Sequence, residues 1–199
     1  MRQVFEITDR QMIDQVLDRA EFGTLAICHD NRPYSLPINF VRVGDLLYFH
    51  GAKKGRKIEI LKSNSLASFS VVEAFSMIQS YFSSDDNLAC PATQFFKSIM
   101  IDGSITFIED SNEKALALQK LMQKLQPEGR YRPLQEDSYK KAINATAVFR
   151  LNIETIRAKF KFGQHLDRDR FDMIIRHLED RAQGVDLETI ELMKSLHVV

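Results

Sequence analysis

Leu46-Leu47-Tyr48-Phe49-His50-Gly51-Ala52-Lys53-Lys54-Gly55-Arg56-Lys57 is where the chain changes period. Apolar strand residues run to His50, a glycine-containing loop follows, and four cations gather where Ile58 and Leu61 open a helical pattern. A helix N-terminus already carries partial positive charge, so cations are unfavourable there unless an anion lies between them. Free backbone N–H groups together with Lys and Arg form a phosphate cradle. The same residues would also serve as a solvated basic turn.

Upstream, Gly44-Asp45 suits a two-residue hairpin turn leading into 46–50. The strand before it, 34–43, is interrupted by Pro37, which marks an edge or a bulge because proline cannot donate to a ladder. Asp30-Asn31-Arg32-Pro33 reads as a turn and 24–29 as a strand. Before that, Thr8 and Gln11 have capping-box spacing. Met12, Ile13, Val16, Leu17 and Ala20 follow on one helical face, with Gly23 as the stop.

Downstream, Asn64-Ser65 ends the short helix, and 66–72 and 75–82 read as strands. A polar loop covers 83–93, and a long strand within 95–109 passes Gly103 at a bend. Asp110 and Glu113 cap a helix carrying Leu118, Leu121, Met122 and Leu125. Turns occupy 126–138, and two strands fall within 145–162. Amphipathic helices around 171–178 and 190–196, separated by Gly184, finish the chain. Strands in series with few crossover helices predict a mainly β fold, an antiparallel barrel with peripheral helices. The expected division is a barrel domain over 1–164 and a C-terminal helical extension over 165–199 packed on it.

With 27 Lys+Arg against 27 Asp+Glu the net charge is zero, which disfavours a nucleic-acid coat or a polybasic membrane binder. No apolar run approaches the ~20 residues of a membrane span, and MRQVFEITDR lacks the apolar core of a signal peptide. Cys28 and Cys90 form no CxxC pair. These features point to the cytoplasm, with no membrane and no nucleic acid as partner. Walker A, GxGxxG, GxSxG and HExxH are all missing, and the five histidines show no metal-ligand spacing, so no metal is expected.

The run from Gly23 to Val72 resembles the pyridoxamine 5'-phosphate oxidase-like split-barrel flavoproteins. It is most similar to their 5-nitroimidazole-resistance (Nim)-like branch. The residues carrying the likeness are Pro33-Tyr34-x-x-Pro37-Ile38-Asn39-Phe40, Tyr48-Phe49-His50-Gly51-Ala52 and Gly55-Arg56-Lys57-Ile58. Further on, Phe96-Lys97-Ser98-Ile99 with Gly103, and Glu113-Lys114-Ala115, extend it to about Lys159.

The resemblance implies a six-stranded antiparallel split barrel that binds FMN at a homodimer interface. It makes Arg56 and Lys57 the phosphate clamp, a role suited to a guanidinium fork and a point-charge ammonium. Pro37, Ile38, Asn39 and Phe40 would line the flavin ring. Tyr48, His50, Gly51 and Ala52 would lie beside the ring and ribityl chain. Ser98 would face the flavin, and Lys159 would approach from the C-terminal segment. His50 would be the catalytic residue, delivering a proton near neutral pH; a strand-capping histidine would look the same.

The implied activity is that of an FMN-dependent oxidoreductase. Electrons would pass from reduced flavin to a small organic acceptor, conceivably a nitroaromatic, with NADH or NADPH as a transient donor. A non-catalytic flavin carrier or redox sensor, or a haem-binding or haem-degrading relative, fits the same residues. The chain departs from the true oxidase in having no Trp, and no counterpart of the Trp and Arg cluster that grips pyridoxal phosphate is found.

Overall fold

The structure, a computed structural model, describes residues 3–84, 86 and 88–197. In chain order the strands are β1 (Glu6–Ile7), β2 (Phe22–His29), β3 (Arg32–Asn39), β4 (Val41–Val43), β5 (Leu46–Gly51), β6 (Leu66–Ile78), β7 (Thr93–Ile108) and β8 (Ala147–Lys161). The helices are α1 (Arg10–Arg19), α2 (Arg56–Ser63), α3 (Ser111–Leu125), α4 (Lys140–Ala145), α5 (Arg168–Arg181) and α6 (Asp186–Leu196). They form two compact units. The larger comprises Arg10–Val71 and Ile99–Arg157, and the smaller Met1–Asp9, Val72–Ser98 and Ala158–Val199.

In the larger unit the strand order is β3-β2-β6-β7-β8-β5-β4. β3, at one end of that order, and β5, next to the other end, also approach each other, and no ladder joins them among the described residues. This is the split-barrel arrangement. The sheet has eight strands where six were expected; the two short ones, β1 with 2 residues, which belongs to the smaller unit, and β4 with 3, make the difference.

The β2–β3 turn is tighter than the sequence suggested. Asp30 and Asn31 adopt φ of 49° and 59°, the paired left-handed conformation of a two-residue hairpin, and His29 pairs with Arg32. Arg32 and Pro33 therefore belong to β3. Pro33 and Pro37 are tolerated because β3 ends the strand order, where an amide facing away from β2 has no ladder bond to lose. The Gly44-Asp45 hairpin is as expected, with Val43 paired to Leu46. α1 ends at Arg19, before Gly23. What Gly23 provides is room, because a Cβ there would lie 2.0 Å from the Phe69 ring.

Two expected breaks are absent. β6 runs unbroken from Leu66 to Ile78, with Ser80–Phe82 a short 3-10 turn after it. Glu73, which looks like a break in the alternation, lies 3.8 Å from the ammonium of the buried Lys97 and stays in the strand. β8 likewise runs through the exposed Glu154-Thr155 as one strand. The α3 cap is as read: the Asp110 carboxylate accepts from the Glu113 N–H at 2.8 Å.

Phenylalanine fills both cores. Phe40, Phe49, Phe69 and Phe149 are buried in the larger unit, and Phe75, Phe95, Phe160 and Phe162 in the smaller. In the smaller unit, α5 and α6 are tied to β6 by a buried polar group. Asp186 accepts from Ser76 Oγ at 2.6 Å and from Arg181 at 2.6 and 2.7 Å. The Arg181 guanidinium and these hydrogen bonds hold the Asp186 carboxyl at about 2.

Candidate cofactor site

The cation-rich turn lies wholly in the larger unit. β5 ends at Gly51, and Gly55, at φ 109°, bends the chain into α2 in a conformation that L side chains rarely adopt. Gly55 is also the N-cap of α2 and offers no side-chain acceptor, so the first amides of the helix lack the usual cap. Both features make the backbone at Arg56 and Lys57 a donor surface.

The Lys57 side chain reaches back across Gly51. Its ammonium would stand 2.6 Å from a Cβ on Gly51 and sits 5.0 Å from the centre of the Phe149 ring. Phe149 pairs with Phe49 across the β5–β8 ladder and stacks on it at 5.2 Å, which fixes the platform under the ammonium. Among the described residues no carboxylate pairs with Lys57. Burial pushes its pKa below the usual lysine value. His50, on the same strand end, is lowered too, by the protein packed around it and then by the Lys57 charge. Burial thus disfavours the charged form of both groups, the Lys57 charge adds to the effect on His50, and no carboxylate offsets Lys57 among the described residues, a setting that favours an anion. A dianionic phosphate fits that donor set.

Arg56 stands apart from this pair, its guanidinium 4.6 Å over the Tyr34 ring. Ala52 is exposed in the turn.

The 37–40 segment is more structural than its motif suggests. The Asn39 amide donates to Glu21 O at 3.0 Å, Ile38 and Phe40 point into the core, and Phe40 packs edge-on against Phe69. Only backbone and the exposed Pro37 remain for a ligand. Tyr48 is also engaged. Its hydroxyl donates to Glu113 at 2.9 Å, and Arg150 holds the same carboxylate at 2.9 Å. Burial and then Glu113 raise the Tyr48 pKa.

Ser98 and Lys159 belong to the smaller unit. Ser98 is half-buried on β7. Lys159 pairs with Glu6 in the β1–β8 ladder and lies over the Phe5 and Phe96 rings. The structure therefore groups His50, Gly51 and Lys57 tightly, with the α2 amides and Arg56 nearby in sequence. One neighbour of the site strand has no sequence signal. Lys124, from the last turn of α3, donates to Leu17 O at 3.0 Å and lies 4.0 Å over Phe40, and burial lowers its pKa to about 8.

Among the described residues no helix is long and apolar enough to cross a membrane, and no cluster of three metal-ligating side chains occurs.

Residues 9–160 match the profile of the family described as Pyridoxamine 5'-phosphate oxidase, and the chain belongs to that family. No curated protein matches it. Among solved structures it is similar to a candidate 5-nitroimidazole antibiotic resistance protein from Bacteroides thetaiotaomicron. That likeness has 25% identity and a TM-score of 0.63, covering 77% of this chain and 85% of the other. A flavocytochrome from Azotobacter vinelandii is similar at 25% identity and TM-score 0.65, with 80% and 70% covered. An FAD and haem binding protein from Mycobacterium smegmatis shares the fold at 24% identity and TM-score 0.64, with 79% and 74% covered.

Proposed function

We propose that the protein binds a flavin nucleotide by its phosphate at the Lys57 cradle and works as an FMN-dependent oxidoreductase. Reduced cofactor would serve a small organic acceptor, with a nitroaromatic as the first compound to test. The observation that carries this reading is the half-buried, unpaired Lys57 ammonium over Gly51, beside His50 and the uncapped start of α2. Family membership and the likeness to a flavocytochrome and to a nitroimidazole-resistance candidate support it.

In this reading Lys57 and the α2 amides hold the phosphate, and Arg56 swings from Tyr34 to add a fork of donors. Backbone groups of Pro37 to Phe40 and of Tyr48 to Ala52 orient the ring. When bound, the flavin supplies the redox chemistry at its ring. Burial, and then the Lys57 charge, disfavour the protonated form of His50. An anion that offsets Lys57 removes the second of these and shifts the imidazole towards holding a proton, which it can then give to the acceptor.

A second copy of the chain is the expected partner. Phe22 and Leu66 of the larger unit are 57% and 61% exposed, and a homodimer would cover such residues. Sedimentation showing only monomer at micromolar concentration would remove that part of the reading.

The deciding experiment is the ultraviolet-visible spectrum of the purified protein with FMN and with FAD, before and after anaerobic NADH or NADPH. A flavin spectrum that bleaches, then recovers on adding a nitroaromatic, supports the oxidoreductase. One that never bleaches makes the protein a carrier, and a Soret band in its place points to haem.

A further inference from the structure

The smaller unit holds a cavity of about 230 Å³ that the flavin reading does not use. Its floor is apolar: Phe95, buried and tilted against Phe162, with Ile174 of α5 and Leu166. Its wall is basic. Lys161 closes β8, Arg170 comes from the first turn of α5, and no carboxylate lines the cavity among the described residues.

The turn joining β8 to α5 fixes these two cations. Phe162 N–H donates to Gln164 Oε1 at 2.8 Å, Gln164 returns a bond to Phe160 O at 2.7 Å, and Leu166 N–H donates to Gly163 O at 2.9 Å. Gly163, at φ 82°, has no room for a side chain, since a Cβ would meet Leu166 at 2.9 Å and Phe95 at 3.3 Å. Lys161 bonds the Thr93 hydroxyl, and Arg170 Nε donates to Ser83 O at 3.2 Å. Each cationic side chain thus bonds a neutral oxygen, and neither makes an ion pair among the described residues. Burial, and then the nearby Lys159, push the Lys161 pKa down. An apolar floor under two oriented, uncompensated cations is costly in an empty pocket and favourable around an amphipathic anion.

We infer that this cavity binds a small organic anion, a carboxylate on a compact apolar body, with Lys161 and Arg170 taking the carboxylate and Phe95 and Ile174 the body. The inference is independent of the flavin reading.

Cys90, exposed at the cavity rim, is the reporter. Its alkylation is followed by peptide mass spectrometry with iodoacetate and with the neutral iodoacetamide. The ratio of the two rates cancels any change in thiolate fraction. Compared with N-acetylcysteine, the ratio at Cys90 should favour iodoacetate by about tenfold, the low end of what a charged cleft does to an anion's encounter rate. Benzoate should protect Cys90 saturably from iodoacetamide, and benzyl alcohol should not.

Lys161→Met with Arg170→Met should erase both effects, while Lys161→Arg with Arg170→Lys keeps them. A ratio equal to that of the free thiol, or equal protection by benzoate and benzyl alcohol, overturns the inference. Because those two measurements use the unmodified protein, a misfolded variant does not rescue it.

Discussion

The Lys57 ammonium occupies the space a side chain at Gly51 would take, 2.6 Å from the position of a Cβ there. The obstacle to Gly51→Ala is the far end of a flexible side chain and not backbone, so the fold should survive. The ammonium, however, must move off its Phe149 platform. FMN affinity should fall about tenfold, a loss of one misplaced charge-assisted contact, with a melting temperature close to that of the unmodified protein. Calorimetric titration and a thermal melt check both halves; a large fall in melting temperature would show that Gly51 serves the fold.

Removing the charge itself is the sharper version. Lys57→Met should cost FMN roughly 1.5–3 kcal/mol, about a tenfold to hundredfold rise in Kd. Riboflavin has no phosphate and should be nearly indifferent. Fluorescence titrations of both flavins on both proteins make the comparison. Equal losses would mean that Lys57 supports the site without touching phosphate.

Protons should move with the cofactor. His50 and Lys57 both lie below their ordinary pKa values in the protein alone, the first partly because of the second. A phosphate dianion raises both, so binding takes protons up. At pH 7.5 the phosphate, with its second pKa about 6, is already a dianion and has almost no proton of its own to release. FMN binding heats measured in buffers of differing ionisation enthalpy should then show net uptake, and His50→Gln should reduce it. Affinity should weaken as pH rises through the raised imidazole pKa. Net release would contradict the placement of the phosphate.

His50 has a kinetic prediction as well. Reoxidation of bound, reduced flavin by a nitroaromatic should slow by about 10²–10⁴-fold in His50→Ala if the imidazole delivers the proton. Stopped-flow rates normalised to flavin occupancy test it. An unchanged rate with an unchanged pH profile leaves His50 as a lining residue only.

Acid should loosen the smaller unit first at Asp186. Its folded pKa of about 2 is below the ordinary 3.8, so its stabilisation is complete above that ordinary value and is lost as pH falls from there towards 2. Asp186→Asn should cost about 3 kcal/mol, the low end for a broken buried pair because Arg181 keeps some solvent. The variant's urea midpoint should also lose most of its pH dependence in that window. An unchanged midpoint would contradict the role of the Arg181–Asp186–Ser76 cluster.

What could be read in advance follows from how local each signal is. The hairpin at Gly44-Asp45, the Asp110 cap and the turn at 51–57 are short-range features, and the structure has them where the residues put them. The break expected between 72 and 75 is absent because a polar residue inside a strand looks like a turn until its neighbour is known, and Glu73 lies beside Lys97 on another strand. Gly23 looked like a helix stop, yet its constraint is the Phe69 ring, far along the chain. Of the site, the cations were legible; their platform was not. Phe149, Lys124 and the Lys161–Arg170 cavity depend on register and packing that no local pattern encodes.

The composition of the smaller unit sets the order of events during synthesis. Its segments Met1–Asp9, Val72–Ser98 and Ala158–Val199 are separated by long stretches of the sequence. The ribosome must release the chain past Ala158 before the β6 and β7 ends in 72–98 can meet the β8 end, α5 and α6. Until then those strand ends present Phe75 and Phe95 unpaired, in a stage governed by non-local contacts and therefore slow. A chain stalled short of Ala158 should be held by chaperones or lost to aggregation, whatever the intrinsic stability of the larger unit.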